Sequence, residues 1–131
     1  MEKLNNQIVG NIGLFYVCYR LSKRGWNCLP TVRNARGVDL VIYSRDAKKS
    51  HTIQVKSLSK RNPVPFGSSP QLIAEFLIIV VNALGENPEV FIMRPDDIKE
   101  KIHKRERNGK ISYWLEYKDY REYKEKWEII S

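Results

Sequence analysis

Apolar residues along the chain follow two periods, one typical of helices and one typical of strands. Between Leu4 and Arg24, they recur at spacings of three and four, as in the series Ile8, Ile12 and Phe15. Other apolar residues flank this series on both sides. The segment therefore predicts a helix that is buried on most of its sides.

Three short segments with strand character follow, at residues 26–32, 38–43 and 51–57. Pro30 confines the first to a sheet edge or a bulge, because proline cannot donate a ladder hydrogen bond. The second has Asp39 as its only polar residue, and the third alternates strictly between polar and apolar positions. Because the link between these two is short and polar, we expect them to pair as an antiparallel hairpin.

The second half of the chain predicts a sheet with helices around it. A loop is expected at residues 58–71, which contain three prolines and a glycine. The continuous apolar run Phe76–Val81 predicts a strand buried on both faces. The remaining predictions are a strand at 90–93, a helix at 95–106, a tight turn at Asn108-Gly109, a strand at 111–116 and a helix at 119–127. This α-β-β-β-(loop)-β-β-α-β-α order predicts an α/β (α+β) fold, with helices flanking a mixed β-sheet around one core.

Length and composition set further limits. A chain of 131 residues with 42% hydrophobic and 29% charged residues is typical of one folded domain, here residues 1–131. Its longest apolar run has six residues, far short of the ~20 that a membrane-spanning helix needs, so no membrane partner is expected. Cys18 and Cys28 are too few for a disulfide framework or a zinc quartet. With no secretory signal visible, we expect a reduced, cytoplasmic setting.

The net charge of +8 is distributed unevenly. Residues 1–61 carry twelve Lys and Arg against three acids, a net charge of +9, whereas residues 62–131 carry eleven against twelve, a net of −1. A concentrated positive field favours a polyanion such as nucleic acid. A solvated basic surface is the alternative interpretation.

The predicted hairpin brings three polar side chains to one face of the sheet. The apolar residues that would face the core are Leu40, Ile42, Ile53 and Val55. Because side chains alternate between the faces of a strand, Asp39, Gln54 and Lys56 then lie together on the opposite face. A hairpin centred near Ala47 places Asp39 across from Gln54 or Lys56.

These three side chains have the chemistry of a metal-assisted hydrolase. The carboxylate of Asp39 and the amide oxygen of Gln54 are ligands that suit Mg²⁺ or Mn²⁺. Lys56 would orient the attacking water or stabilise developing negative charge. The alternative is an ordinary cross-strand salt bridge between Asp39 and Lys56.

The same residues resemble a known family signature. Gly37-Val38-Asp39-Leu40, with fourteen residues between Asp39 and Gln54-Val55-Lys56, is similar to the signature of the PD-(D/E)XK nuclease superfamily. The preceding segments also resemble its Holliday-junction-resolvase-like branch; they are Gly10-Asn-Ile-Gly13, Leu21-Ser-Lys-Arg-Gly25-Trp26 and Arg33-Asn34-Ala35-Arg36-Gly37.

The resemblance implies a restriction-endonuclease-like core and Mg²⁺-dependent (or Mn²⁺-dependent) hydrolysis of phosphodiester bonds in DNA. Asp39 and Gln54 would hold the metal, and Lys56 would complete the catalytic set. Loop cations on either side of this set would contact the DNA phosphates, namely Arg33, Arg36, Lys60 and Arg61. Because cutting both strands needs two sites, a homodimer would suit this activity.

Two departures from the family pattern leave alternatives open. Leu14 stands where the branch usually carries a metal-binding glutamate, and Gln54 replaces the usual acid. Glu75, before the buried strand, is either a substitute ligand or an ordinary strand-end acid. The chain is then either an active nuclease or a catalytically inactive nuclease-fold module that binds nucleic acid. A protein-interaction domain with an incidental basic face is the third interpretation.

Overall fold

The structure, a computed structural model, describes residues 4–32 and 37–131. Its α-helices are α1 (Asn6–Lys23), α2 (Pro95–Lys101) and α3 (Tyr117–Tyr120), followed by short 3-10 helices at Arg121–Tyr123 and Trp127–Ile129. Its strands are β1 (Asn27–Pro30), β2 (Leu40–Tyr43), β3 (Ser50–Leu58), β4 (Val64–Gly67), β5 (Phe76–Val81), β6 (Glu89–Met93), β7 (His103–Arg107) and β8 (Lys110–Leu115). Within these residues, no helix combines the length and the apolar character needed to cross a membrane.

A five-stranded mixed sheet forms the centre of the fold, with strand order β1-β2-β3-β5-β6. Its pairs are antiparallel except for β3 and β5, which run parallel. Pro30 lies in β1, an edge strand, as the sequence predicts. β5 lies inside the sheet and is buried along its whole length, which confirms the prediction from its apolar run.

The two faces of this sheet carry separate core layers. On one face, Leu40, Ile42 and Ile53 are fully buried, and Val55 packs against the same cluster, so the predicted core face of the hairpin is confirmed. Alternate residues of β5 belong to a second cluster, which includes residues of β4, β8, α2 and α3. The expectation of one core was wrong, because a strand that is apolar on both sides needs a layer on each.

Helix α1 covers the first face with a different stripe from the predicted one. Its buried residues are Val9, Gly13, Val17 and Leu21. Ile8, Phe15 and Tyr19 are exposed instead. The helix is apolar around most of its circumference, but the sheet covers one side of it, so the prediction of burial on most sides was wrong.

The second half of the chain differs most from the prediction. β4 forms within the predicted loop and pairs with β8. The predicted helix ends at Lys101, and after Ile102 the five residues His103–Arg107 pair with β8 as strand β7. Between Lys99 and Glu106, Ile102 is the one apolar residue, so a helix there would bury almost nothing. The Asn108-Gly109 turn, whose residues both have positive φ (52° and 78°), instead folds β8 back against this segment. The backbone of the segment then pairs with β8.

Candidate functional site

Asp39 lies directly before β2, and its backbone is held on both sides. Its N–H donates to the carbonyl of Ile53 at 2.8 Å, and its carbonyl accepts from the N–H of Thr31 at 3.0 Å. The β2–β3 register begins at Leu40, which pairs with Ile53, and continues with Val41 opposite Thr52. Asp39 lies one residue before this register, so the predicted pairing with Gln54 or Lys56 is not part of it, and the Asp39 N–H bonds the backbone of Ile53.

The Asp39 carboxylate leans across β3. Its Oδ2 accepts a hydrogen bond from the N–H of Val55 at 2.7 Å. Among the described residues, no hydrogen-bond donor is found for Oδ1. The half-buried carboxylate is therefore fixed by one oxygen, and the other can coordinate a ligand.

Gln54 and Lys56 flank Val55 and share one face of β3. Gln54 pairs with Leu77, and Lys56 pairs with Ile79, both residues of the second core cluster. Gln54 and Lys56 are half-buried. The hairpin therefore brings the Asp39 carboxylate to the backbone between these two side chains.

The predicted alternative of a salt bridge between Asp39 and Lys56 does not occur. Across residues 4–32 and 37–131, no carboxylate oxygen lies within the 4.0 Å ion-pair distance of the Lys56 Nζ. Lys56 thus carries a charge that no described acid neutralises, on the same face as Gln54.

The predicted phosphate-binding cations differ in their surroundings. Lys60 is exposed in the link between β3 and β4. Arg61 makes two hydrogen bonds to Glu89, from Nε at 2.8 Å and from Nη2 at 3.0 Å, and its guanidinium lies over the Tyr117 ring. Arg33 and Arg36 lie outside the described residues.

Glu75 contacts a histidine, and Leu14 packs against apolar residues. The Glu75 carboxylate lies 2.6 Å from Nδ1 of His51, whose Nε2 lies 3.1 Å from the carbonyl oxygen of Ser131. Glu75 is therefore engaged with a histidine on β3. Leu14 packs against the first core cluster, on the α1 side of the sheet.

A second group of potential ligand atoms is formed by His103, Glu116 and Asp119, whose ligand atoms lie within 4.8 Å of one another. The Nε2 atom of His103 lies 2.8 Å from an Asp119 oxygen, which also accepts the N–H of Glu116. This group links β7 to the start of α3 through the contact between His103 and Asp119. The sequence analysis placed His103 in the predicted helix at 95–106, so this group was missed. Glu116 and Asp119 are three residues apart, a spacing typical of a helix start, and this was the local signal that could have placed them together.

Comparisons with known proteins point to the fold of a nuclease. No family model matches the chain, and a search of curated proteins finds no match. Among solved structures, the chain is similar to the bacterial homing endonuclease I-Ssp6803I, with a TM-score of 0.63 and 17% sequence identity. The match covers 97% of this chain and 93% of that one. The protein therefore has a nuclease-like α/β fold, an open mixed sheet with helices.

Proposed function

We propose that this protein is a metal-dependent nuclease of the PD-(D/E)XK type that hydrolyses phosphodiester bonds in DNA. The observation that carries the proposal is the Asp39 carboxylate, which is held by the Val55 N–H between Gln54 and Lys56. Residues 1–131 would act as one domain, as a homodimer where both strands are cut, and in the cytoplasm.

The donor set suits a hard divalent cation. Oδ1 of Asp39 supplies an anionic oxygen, and the Gln54 amide would supply a neutral one; such sites commonly use one or two carboxylates together with substrate phosphate. Asp39 and Gln54 would therefore hold Mg²⁺ or Mn²⁺. When bound, the ion polarises the phosphodiester and lowers the pKa of water.

The side chains of the chain have distinct roles in this proposal. Asp39 keeps its orientation because the Val55 N–H already holds one of its oxygens. Lys56, without a described acidic partner, would orient the attacking water or stabilise charge on the phosphate oxygens. Lys60 and the loop arginines Arg33 and Arg36 would contact phosphates, and Arg61 would do so after leaving Glu89.

The first prediction tests the catalytic set. We expect Asp39→Asn and Lys56→Met each to lower DNA nicking with Mg²⁺ or Mn²⁺ by about 100-fold or more, since each removes an electrostatic group from the reacting centre. Relaxation of supercoiled plasmid measures the rate. Lys48→Met, which removes an exposed lysine of the β2–β3 turn, is the matched control and should leave it unchanged.

Two outcomes would contradict the proposal. Equal nicking by wild type and both site variants would overturn the site. Failure of the wild type to cut single-stranded, duplex or branched DNA with either metal would overturn the activity.

A second candidate function is an inactive nuclease-fold module that binds nucleic acid. It is favoured by Leu14, which packs against the first core cluster where the resemblance expects an acid, and by Gln54 in place of a carboxylate. Calorimetry separates the two. Mn²⁺ binding that Asp39→Asn abolishes supports the nuclease, whereas salt-sensitive DNA binding without a metal site supports the module.

A further inference from the structure

The β7–β8 hairpin extends beyond the rest of its sheet. β4 pairs with β8 only along Tyr113–Leu115, so from residue 105 to residue 112 the sheet is two strands wide. These eight residues and Lys104 before them are all exposed. We call residues 104–112 the basic ribbon.

The two faces of the basic ribbon differ in charge. Arg105 pairs with Ser112, and Arg107 pairs with Lys110, so one face carries three cations and no acid. Lys104 and Glu106 lie on the other face, where their charges balance. Among the described residues, no ion pair involves any of the three cations on the first face.

The three cations border a shared groove. It has a volume of about 570 Å³ and is lined by Arg105, Arg107, Asn108, Lys110 and Ser112. Like charges on one face repel one another, and a two-stranded ribbon without further packing is marginally stable. A polyanion seated against this face would remove the repulsion.

The dimensions of the basic ribbon suit duplex DNA. The major groove admits a two-stranded β-ribbon, and arginine binds guanine through two acceptors at its edge. Arg105 and Arg107 are two residues apart on one face, a separation of roughly 6.6 Å. That separation matches about two base-pair steps along the duplex. The side chains of Asn108, at the tip of the ribbon, and of Ser112 add hydrogen-bonding groups that suit base edges.

We propose that the basic ribbon enters the major groove of duplex DNA, with Arg105, Arg107 and Lys110 directed at base edges. The inference rests on the proposed function for its substrate class. It assigns sequence preference to an element separate from Asp39, Gln54 and Lys56.

The experiment compares two triple variants in EDTA, so that cleavage does not interfere. Wild-type protein first selects a preferred sequence from a random duplex pool, and fluorescence anisotropy then measures affinity for that duplex and a scrambled one. We expect Arg105→Ala/Arg107→Ala/Lys110→Ala to lose affinity for the preferred duplex by about tenfold or more, and to lose its preference. Circular dichroism checks that the variant is folded.

The matched control removes three exposed cations from the β2–β3 turn, Arg45→Ala/Lys48→Ala/Lys49→Ala. It should keep the sequence preference of the wild type. A guanine analogue without its N7 acceptor should weaken wild-type binding and leave binding by the ribbon variant unchanged.

Three results would overturn the inference: no sequence enriched by the wild type, a preference retained by the ribbon variant, or equal losses on both duplexes. Its failure is distinguishable from that of the nuclease proposal. If the wild type cleaves DNA and the ribbon substitutions change neither cleavage nor sequence preference, only the proposal for the ribbon is rejected. If the wild type never cleaves but its binding depends on the ribbon, only the nuclease proposal is rejected.

Discussion

At the residue scale, Glu89 determines the surroundings of Arg61. Glu89 begins β6, and its carboxylate accepts hydrogen bonds from Arg61 at 2.8 and 3.0 Å and from Lys124 at 3.1 Å. The Arg61 guanidinium, followed by Lys124, lowers the pKa of Glu89 from 4.5 to about 2. From the sequence, Arg61 is a loop cation free to bind phosphate. Its acidic partner lies 28 residues away, where no local pattern could reveal it.

The second prediction concerns this carboxylate. Because its folded-state pKa is lowered, Glu89 contributes stability above about pH 4.5, and the contribution is lost as the pH falls towards about 2. We expect Glu89→Gln to lower the free energy of unfolding by about 1 kcal/mol at neutral pH, since its partners are solvent-exposed. Urea unfolding across this pH range should show the difference shrinking in acid.

Glu86→Gln, at an exposed acid in the preceding turn, is the control and should change little at any pH. A loss of stability in Glu89→Gln that is independent of pH would contradict the assigned ion pair.

At the element scale, the approach of α1 to β3 depends on Gly13. A Cβ built on Gly13 would lie 2.7 Å from the Cβ of Ser57. The same built Cβ would lie closer still to the Oγ of Ser57. Ser57 follows Lys56 directly, so this contact sets the position of β3 beside the candidate site. Gly10, one turn earlier, has nothing within 4 Å of its Cβ position. Sequence analysis could not distinguish these two glycines.

The third prediction contrasts the two positions. Gly13→Ala should destabilise the protein by about 1–3 kcal/mol, because the helix must move away from the strand. Gly10→Ala should stabilise it by about 0.5–1 kcal/mol, because alanine is the better helix former. Thermal unfolding of both variants measures the contrast. The packing described for α1 would be wrong if both substitutions had the same sign.

The elements themselves were predictable to different degrees. The β2–β3 hairpin follows from its alternation and short link, and β5 follows from its continuous apolar run. Strand β7 was not predictable, because a charged segment after Pro95-Asp96-Asp97 also suits a helix. Its pairing with β8 decided its conformation.

At the scale of the whole molecule, the distribution of charge determines the expected partner. Residues 1–61 carry a net charge of +9, which predicts contact with a polyanion. The basic ribbon lies in the second half of the chain, whose net charge is −1. The cations of the ribbon do not appear in that net charge, because acids near α3 offset them. The folded chain separates these groups, with three cations alone on one face of the ribbon.

The fourth prediction follows from this charge. The logarithm of the DNA-binding constant should fall linearly with the logarithm of salt concentration, with a slope of about −0.9 per phosphate contacted. For several contacts, we expect a slope of about −4 or steeper. Fluorescence anisotropy at increasing salt measures it. Negligible binding, or a slope near zero, would favour the protein-interaction interpretation.

By itself, the sequence determined the mixed fold class, the hairpin that carries Asp39, Gln54 and Lys56, the buried β5 and the confinement of Pro30 to a sheet edge or a bulge. These follow from local periods, short links and backbone chemistry, which act between near neighbours. The tertiary structure alone decided which stripe of α1 is buried, the pairing of Arg61 with Glu89, and the extension of the basic ribbon. These depend on contacts between residues far apart in the chain, whose partners are selected when the core layers pack together.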